Sequence, residues 1–338
     1  MYFTVSTWAQ AAAVALAAVI VSTAILRVLL ATGLAWRLAT DIPNHRSLHT
    51  LPTPRVGGWG IVPVCVVALL VLTPHLRLIA IAAAGLAAIS QIDDRRGLPA
   101  GVRFPAHLAA VVALIAVFPA DAPWWLLVGV GFVMVWLVNL YNFMDGADGL
   151  AGGMALFGFG AYAIAALTGP TPSPDLAVAG SVVAGAALGF LLLNFHPARL
   201  FLGDAGSIPL GFLAGALGYW GWRASIWPIW FPALVFAPFI ADASVTLLRR
   251  LLRGEKFWQP HREHYYQRMV RAGLGHRRNA LCWYLVMLAG IILAVWAKGR
   301  PGWQQWLSFA VWYGVLACIG LVIDMRWRRF QSGAENNS

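Results

Sequence analysis

Charged residues are scarce in this sequence. Only 11% of its 338 residues are Asp, Glu, Lys or Arg, while 60% are hydrophobic and the mean hydropathy is +0.72. Soluble proteins carry about 25% charged residues, and a soluble fold of this length could not hide so much apolar surface. The composition therefore excludes a soluble globular protein and predicts a chain that lies in a membrane.

Cysteine is almost as rare. Cys65, Cys282 and Cys318 each lie in an apolar run, where cysteine usually packs as a small hydrophobe. Their spacing gives no disulfide framework and no cysteine metal site. The sequence also lacks a basic segment ahead of its long first apolar run, so we expect that run to be a retained span rather than a signal peptide.

Apolar runs recur along the whole chain, and about 20 such residues suffice to cross a bilayer as a helix. They predict an all-α polytopic membrane protein with about eleven transmembrane helices. The expected spans are 8–33, 57–73, 76–91, 105–119, 123–139, 150–168, 176–194, 207–222, 226–247, 279–297 and 304–324. We expect residues 1–330 to form a single integral membrane domain, followed by a disordered tail at 331–338.

Arginine and lysine fall mostly in alternate loops. If the N-terminus is outside, the loops at 34–56, 92–104, 140–149, 195–206 and 248–278 and the C-terminal tail hold 19 of the 24 basic residues, and the opposite side holds 4. This asymmetry follows the positive-inside rule and predicts a periplasmic N-terminus and a cytoplasmic C-terminus. The net charge of +11 thus reflects topology, and nucleic acid is not an expected partner.

Acidic residues are also concentrated in the predicted cytoplasmic loops. Of the thirteen, eight lie in the predicted cytoplasmic loops. The positive-inside rule does not require this, so we infer a cation-binding site on that face, although loops are also where charges are generally tolerated. The eight residues are Asp41, Asp93, Asp94, Asp145, Asp148, Asp204, Glu255 and Glu263.

The third predicted span ends in Gln-Ile-Asp-Asp-Arg-Arg, which contains Asp93 and Asp94. Adjacent carboxylates repel each other unless they share a cation or a proton. The pair therefore suits Mg²⁺ bound through phosphates, or a general base. An exposed pair at a helix end is the alternative.

A second polar segment, 139–153, lies between two apolar spans and carries Asn139, Asn142, Asp145 and Asp148. One helical turn would place the two aspartates on the same face, and polar groups at a membrane boundary are costly unless they serve a purpose. Asp148 could instead cap the following helix.

A third segment, 194–207, contains Gly-Asp-Ala-Gly-Ser at the start of the eighth span. A glycine-rich turn with Asp204 at a helix start can bring backbone N–H groups and a metal ligand together around a diphosphate. A plain helix cap is the alternative.

The loop at 248–278 carries nine basic residues. If it is helical, His261 and His264 share a face, but their spacing is one residue short of a zinc-binding helix pair, so we exclude zinc. Cationic groups over phosphate oxygens fit better, on a helix that would rest at the membrane interface.

Together these segments resemble the polyprenyl-phosphate N-acetylhexosamine-1-phosphate transferases, whose bacterial members start O-antigen and related glycans. The phospho-MurNAc-pentapeptide translocase is a cousin. The match covers nearly the whole chain and includes Asp41-Ile-Pro-Asn-His-Arg-Ser-Leu-His-Thr-Leu-Pro-Thr-Pro-Arg-Val-Gly-Gly. Arg262 and Glu263 interrupt the translocase's run of three histidines, which argues against a MurNAc-pentapeptide donor. The His-Arg-x-His-x-Tyr-Gln form is closer to transferases of N-acetylated, often 6-deoxy, hexosamines.

The resemblance also implies a role for each motif. Asp93 is the implied base for the lipid phosphate, and Asn194 and Phe201 hold the uracil ring. The implied catalytic residues are Asp93, Asp94, Asp145, Asp148, His261 and His264. The implied substrate-binding residues are Asn139, Asn142, Asn194, Phe201 and Arg262, and the implied metal ligands are Asp204 and Asp94.

The implied enzyme lies in the bacterial inner membrane and uses Mg²⁺, with Mn²⁺ as an alternative. Its expected partners are a UDP-N-acetylhexosamine, undecaprenyl phosphate and membrane lipids, and a homodimer is left open. A polytopic transporter or flippase is the alternative class. Such proteins place ionisable groups near the middle of the membrane, whereas here only Arg27 lies deep in a span.

Overall fold

The computed structural model describes residues 2–43, 47–256, 259 and 261–335, and their fold is a bundle of long helices. The helices are α1 (Tyr2–Ala31), α2 (Leu34–Leu38), α3 (Gly57–Leu72), α4 (Arg77–Arg96), α5 (Ala100–Val117), α6 (Trp124–Phe143), α7 (Leu150–Leu167), α8 (Pro174–Asn194), α9 (Asp204–Arg223), α10 (Phe231–Val235), α11 (Ala237–Leu252), α12 (Tyr265–Met269), α13 (Gly275–Ala297) and α14 (Gly302–Glu335). Two short strands, β1 (Thr40–Asp41) and β2 (Thr53–Pro54), pair antiparallel.

The long apolar helices confirm the prediction of an all-α polytopic membrane protein. Among the described residues, eight helices are long and apolar enough to cross a membrane, and α3 is apolar but shorter. Each predicted span overlaps a helix, but α9 and α11 are not among the eight. The count of eleven spans therefore stays a prediction.

Two helices extend beyond the predicted boundaries. Helix α4 continues to Arg96, so the Asp93–Asp94 pair lies in its last turn rather than in a loop. Helix α14 continues to Glu335, so 331–335 of the expected disordered tail is helical. The rest of that tail, 336–338, lies outside the described residues, as does 44–46 of the first loop motif.

Helix α8 lies at the centre of the bundle. Its apolar segment is 89% buried and that of α7 is 78% buried, against 28% for α1. Small side chains make this packing close: a Cβ built at Gly180 would lie 2.8 Å from the backbone nitrogen of Ala163 on α7. In a bilayer, where lipid tails are as apolar as leucine, such close backbone packing is a main source of helix association.

One end of the bundle gathers the polar segments. Helices α4, α6 and α8 end there, and α3, α7, α9 and α13 begin there. The connections between these helix ends carry most of the acidic residues singled out from the sequence, so the alternation of up and down helices brings segments distant in sequence to one face.

Candidate active site

A polar cavity of about 200 Å³ lies at this end of the bundle. Six residues predicted from the sequence line it: Asn142, Asp145, Asp148, Asn194, Phe201 and Asp204. Four further polar side chains also line it, and the sequence analysis assigned none of them a role in the site: Asp41, which it counted among the acidic residues of this face, and His49, Arg55 and His276. The cavity thus combines four carboxylates with a guanidinium and two imidazoles.

Helix α9 begins at this cavity, and its first turn is held by Asp94. The backbone N–H of Asp204 donates to Asp94 Oδ1 at 3.2 Å, and that of Ala205 donates to Oδ2 at 3.0 Å. Gly203 precedes the helix with φ 74°, and a Cβ there would lie 3.0 Å from Asp94 Oδ2. Glycine is therefore required, and the Asp94 side chain, only 1% exposed, fixes the position of Asp204.

Arg103 on α5 joins Asp93 to Asp204. Its Nη1 lies 2.9 Å from Asp93 Oδ2 and 3.8 Å from Asp204 Oδ2. Asp93 also accepts the backbone N–H of Leu98 at 2.5 Å, beyond the end of α4. The two carboxylates therefore share one cation, and Asp93 lies beside the cavity rather than within its lining.

Asp145 and Asp148 lie in the turn between α6 and α7. The turn is not helical, so the expectation that one helical turn aligns the two aspartates is wrong. The N-cap of α7 is Gly149 rather than Asp148. Burial, and then the negative charge of Asp204, raises the pKa of Asp145 well above its usual range. Such a carboxylate is stabilised as an anion when a cation enters the cavity.

Asp148 lies beside two histidines. Its Oδ2 lies 2.6 Å from His196 Nδ1, and its Oδ1 lies 3.5 Å from His276 Nδ1. The two imidazoles stack, with centroids 5.5 Å apart. The Asp148 backbone N–H donates to His276 Nδ1 at 3.1 Å, and His276 Nε2 lies 3.3 Å from the oxygen of Leu48. These contacts assign the proton of a neutral His276 to Nε2.

Asn194 and Phe201 take different positions in the cavity wall. The Asn194 side chain accepts the Gly149 N–H at 2.9 Å and donates to the Leu200 oxygen at 2.9 Å. Its amide therefore joins two turns of the site. Phe201 is half-buried, and its ring meets His49 edge-on at 4.8 Å. Both side chains line the cavity, and the roles implied for them with the uracil ring remain predictions.

The paired strands position the residues that the sequence analysis missed. Arg55 follows β2, and its Nη2 lies 2.7 Å from Oδ1 of Asp41 in β1. His49 Nε2 lies 3.6 Å from Asp41 Oδ2, and burial lowers the pKa of His49. All three residues lie in the first-loop motif at 41–58. The charged and titratable residues of that motif were therefore the feature by which the sequence could have indicated this part of the site.

Six predicted residues lie outside the lining of the polar cavity: Asp93 and Asp94, which are described above, and Asn139, His261, Arg262 and His264. His261 and Arg262 are not helical, and His264 is the N-cap of α12, so the expected helical face with both histidines is wrong. The rings of His261 and His264 are nevertheless in contact, with centroids 4.8 Å apart. Asn139 lines a different, apolar groove. The roles implied for these residues remain predictions.

His264 belongs to a buried cluster around Asp242. Asp242 Oδ1 lies 3.2 Å from His264 Nδ1 and accepts the Tyr265 N–H at 2.9 Å, while Oδ2 accepts the Tyr266 N–H at 3.0 Å. The Tyr266 hydroxyl donates to the Phe143 oxygen at 3.1 Å. The cluster therefore ties α11 and α12 to the turn that carries Asp145 and Asp148.

An apolar groove of about 660 Å³ runs between α5 and α6. We call it the α5–α6 groove; it is lined by Phe104, Leu108, Ile115, Phe132, Trp136 and Phe143 among others. Phe132 is 73% exposed and Phe104 is 53% exposed, so the groove opens to the outside of the bundle. Phe104 is adjacent to Arg103, which places one end of the groove beside the Asp93–Arg103–Asp204 chain.

The donor set around Asp204 fits Mg²⁺. Within the described ranges, no three His, Cys, Asp or Glu side chains form a ready metal cage. Mg²⁺ commonly takes only one or two protein carboxylates and completes its shell with phosphates and water. Asp204 and Asp145 both line the cavity and supply hard oxygen donors, whereas both Asp94 oxygens bind backbone N–H groups.

The chain is similar to several known proteins. Residues 76–221 match the family Glycosyl transferase family 4. A probable undecaprenyl-phosphate N-acetylglucosaminyl 1-phosphate transferase of Bacillus subtilis is 27% identical over 89% of each chain. A decaprenyl-phosphate N-acetylglucosaminephosphotransferase of Mycobacterium tuberculosis is 31% identical over 86% of this chain and 84% of its own. A phospho-N-acetylmuramoyl-pentapeptide-transferase of Oceanobacillus iheyensis is 46% identical over 29% of each chain.

Proposed function

The chain belongs to glycosyl transferase family 4, and on that premise we propose that it transfers an N-acetylhexosamine-1-phosphate from a UDP-sugar to undecaprenyl phosphate. At the coarser level it is a membrane enzyme that transfers a sugar phosphate to a polyprenyl phosphate. N-acetylglucosamine is the first sugar to test, because the curated relatives carry it in their names.

One observation carries the proposal: Arg103 lies between a polar cavity and one end of an apolar groove. The guanidinium contacts Asp204 of the cavity and Asp93 beside it, and the next residue, Phe104, lines the α5–α6 groove. One substrate of the proposed reaction is soluble and the other is a lipid, so their phosphates must meet at such a boundary. We place the polyprenyl chain in the groove and the nucleotide in the cavity.

The cavity supplies groups for the base and for a phosphate of a nucleotide sugar. Phe201 offers an aromatic face for the uracil ring, and Arg55 offers a guanidinium for a phosphate. Four carboxylates also line the cavity, and they repel an anionic donor. A divalent cation is therefore needed between the donor phosphates and the protein.

We assign that cation as Mg²⁺, held by Asp204 with Asp145 beside it. When bound, Mg²⁺ neutralises charge on the phosphates and aligns them. Asp94 then acts as a positioning residue, because it fixes the first turn of α9. Mn²⁺, which prefers the same oxygen ligands, is the alternative ion.

The chemistry is a displacement at phosphorus. An oxygen of the lipid phosphate attacks the β-phosphorus of the UDP-sugar, the bond from that phosphorus to the α–β bridging oxygen breaks, and UMP leaves. The product is a polyprenyl diphosphate sugar. Asp93 accepts the remaining proton of the lipid phosphate, whose pKa is about 6 for a phosphate monoester. Because Arg103 contacts Asp93 and Asp204, it is placed to hold the attacking phosphate near both.

We further propose that this step starts an O-antigen-like cell-surface glycan at the cytoplasmic face of the bacterial inner membrane. The 19-to-4 division of basic residues supports a periplasmic N-terminus and a cytoplasmic C-terminus. Reporter fusions after Asp175 and Phe330 are expected on opposite sides of the membrane. Fusions on the same side would contradict the shared cytoplasmic face of the site.

The direct test is UMP release from UDP-N-acetylglucosamine by the purified chain with undecaprenyl phosphate and Mg²⁺. We expect activity that chelation abolishes, and a fall of about 10³-fold or more in kcat for Asp204→Asn. Asp121→Asn, on the opposite side of the membrane, is the matched control. A transporter or flippase would release no UMP, and near-normal turnover of Asp204→Asn would contradict the metal assignment.

A covalent phospho-aspartyl route can be separated from the one-step route. With labelled UMP and no lipid phosphate, a covalent enzyme would exchange label into the UDP-sugar. We expect no exchange in delipidated protein and full activity after lipid phosphate is restored. Robust exchange that disappears in Asp93→Asn would overturn the one-step mechanism.

A further inference from the structure

A second groove lies far along the chain from the carboxylates, between the start of α13 and the face of α14. Its volume is about 810 Å³. We call it the α13–α14 groove. Its apolar part includes Leu274, Val311, Val315, Ile319 and Val322, and its polar part consists of Arg268, Arg278 and Arg326. No Asp or Glu is among its lining residues in the described part of the chain.

The arginines of this groove differ in what they already bind. Arg268 is half-buried and its Nη1 lies 2.8 Å from Asp324 Oδ1. Arg278 and Arg326 are exposed, and within the described ranges neither forms an ion pair. Arg271, at the same end, lies over the ring of Trp327, 4.7 Å from its centroid. Two guanidiniums are thus uncommitted where a tryptophan marks the membrane interface.

The groove has the length of one membrane leaflet. Val311 and Val322 lie eleven residues apart on α14, which spans about 17 Å at ~1.5 Å per residue. Half of a hydrocarbon core of roughly 30 Å is about 15 Å. The charged end therefore falls at headgroup depth when the apolar end reaches the middle of the bilayer.

We propose that the α13–α14 groove binds one anionic glycerophospholipid of the cytoplasmic leaflet. Its headgroup phosphate lies between Arg278 and Arg326, and an acyl chain follows Val315 and Ile319 toward Val311. The bound lipid stabilises the packing of α14 against the turn before α13. This site is separate from the α5–α6 groove, one end of which lies beside Arg103 and its two carboxylate partners, and it does not depend on the proposed reaction.

Two sets of variants test the proposal in the full-length chain. Arg278→Gln/Arg326→Gln removes the headgroup contacts, and Arg328→Gln/Arg329→Gln removes the same charge from the same end of the membrane protein. Gly314→Phe fills the groove itself, because Gly314 lines it and a Cβ there meets no atom within 4 Å. Gly333→Phe, on the same helix with open space around it, is its control.

The probe is dioleoylphosphatidylglycerol, titrated against dioleoylphosphatidylcholine and followed by native mass spectrometry of the detergent-solubilised chain. We expect one preferred phosphatidylglycerol. Its affinity should fall by about thirtyfold in Arg278→Gln/Arg326→Gln, roughly fivefold for each arginine, and little in Arg328→Gln/Arg329→Gln. Gly314→Phe should lose the site while Gly333→Phe keeps it.

If both double arginine variants lost the same affinity for phosphatidylglycerol, the effect would be general electrostatic attraction to anionic lipid, and the proposal would be overturned. Retention of the site in Gly314→Phe would overturn the groove as its location. Displacement of phosphatidylglycerol by equimolar undecaprenyl phosphate would assign the groove to the lipid substrate instead. Saturation by inorganic phosphate alone at the same concentration would exclude a role for the acyl chains.

Discussion

Two aspartate–histidine pairs in this molecule have the same chemistry and different surroundings. Asp148 lies 2.6 Å from His196 Nδ1 at the wall of the polar cavity, where the imidazole is 42% exposed and the Asp148 side chain is 9% exposed. Asp242 lies 3.2 Å from His264 Nδ1, and their side chains are 0% and 3% exposed. Both carboxylates also accept backbone N–H groups.

The difference teaches that access, rather than residue type, decides what such a pair can do. A substrate in the cavity can reach Asp148 and His276, which both line it. The Asp242 pair is closed to solvent, and its oxygens bind the first N–H groups of α12. We therefore regard Asp242 and His264 as positioning residues that hold the loop at 261–264 against the site.

The largest expected effect on stability comes from breaking the buried pair. Asp242→Ala leaves the N–H groups of Tyr265 and Tyr266 and the His264 imidazole without their acceptor. Removing one partner of a buried pair costs about 3–5 kcal/mol, and we expect a matching drop in the apparent Tm in detergent. Asp121→Ala is the control, and an unchanged Tm for Asp242→Ala would contradict the comparison.

The Asp148 pair, at the wall of the cavity, should respond in activity instead. Asp148→Asn keeps the side-chain shape but removes the negative charge beside His196 and His276. We expect kcat to fall by about 10²–10³-fold while the Tm changes little. Asp242→Asn, the same exchange at the buried pair, should lower the Tm first. If both variants behaved alike in both measurements, burial would not be what separates the two pairs.

A smaller effect is expected at the aromatic wall of the cavity. Stacking of a base on an aromatic ring is worth about 1–3 kcal/mol, so Phe201→Ala should raise the KM for the UDP-sugar by roughly 5–150-fold. The KM for undecaprenyl phosphate should be unaffected, and Phe201→Tyr should retain most of the donor affinity. A donor KM equal to that of the parent enzyme would remove Phe201 from the uracil site.

The smallest expected effect concerns the loop that the buried pair supports. Burial, followed by repulsion from His264, lowers the pKa of His261 to about 4. A lowered histidine pKa means that the imidazole is already neutral above about pH 5.5 and has no charge to lose as the pH rises. The pH profile of kcat/KM for His261→Asn should therefore keep its shape between about pH 5.5 and 8. Loss of an acidic limb in the variant would show that His261 is protonated in the working range.

Much of the site could be predicted from the sequence because its residues stand out against an apolar background. Three acidic residues interrupt apolar segments and are therefore easy to recognise, and all three line the cavity: Asp145, Asp148 and Asp204. His276 and Arg103 could not be recognised in the same way, since each is one of several basic residues in a loop rich in them. Their contacts with Asp148 and Asp204 depend on how α13 and α5 pack.

The sequence by itself determined the membrane location, the helical class and the gathering of acidic motifs on one face. These follow from composition, apolar length and charge asymmetry, which act locally along the chain. Only the tertiary structure decided that Asp94 holds the start of α9, that Asp148 rather than Asp242 faces a cavity, and that the α13–α14 groove joins free arginines to an apolar face. Each of these depends on packing between helices that are distant in sequence. The burial of a side chain and its distance to a partner are set by the neighbouring helices, so no single segment determines them.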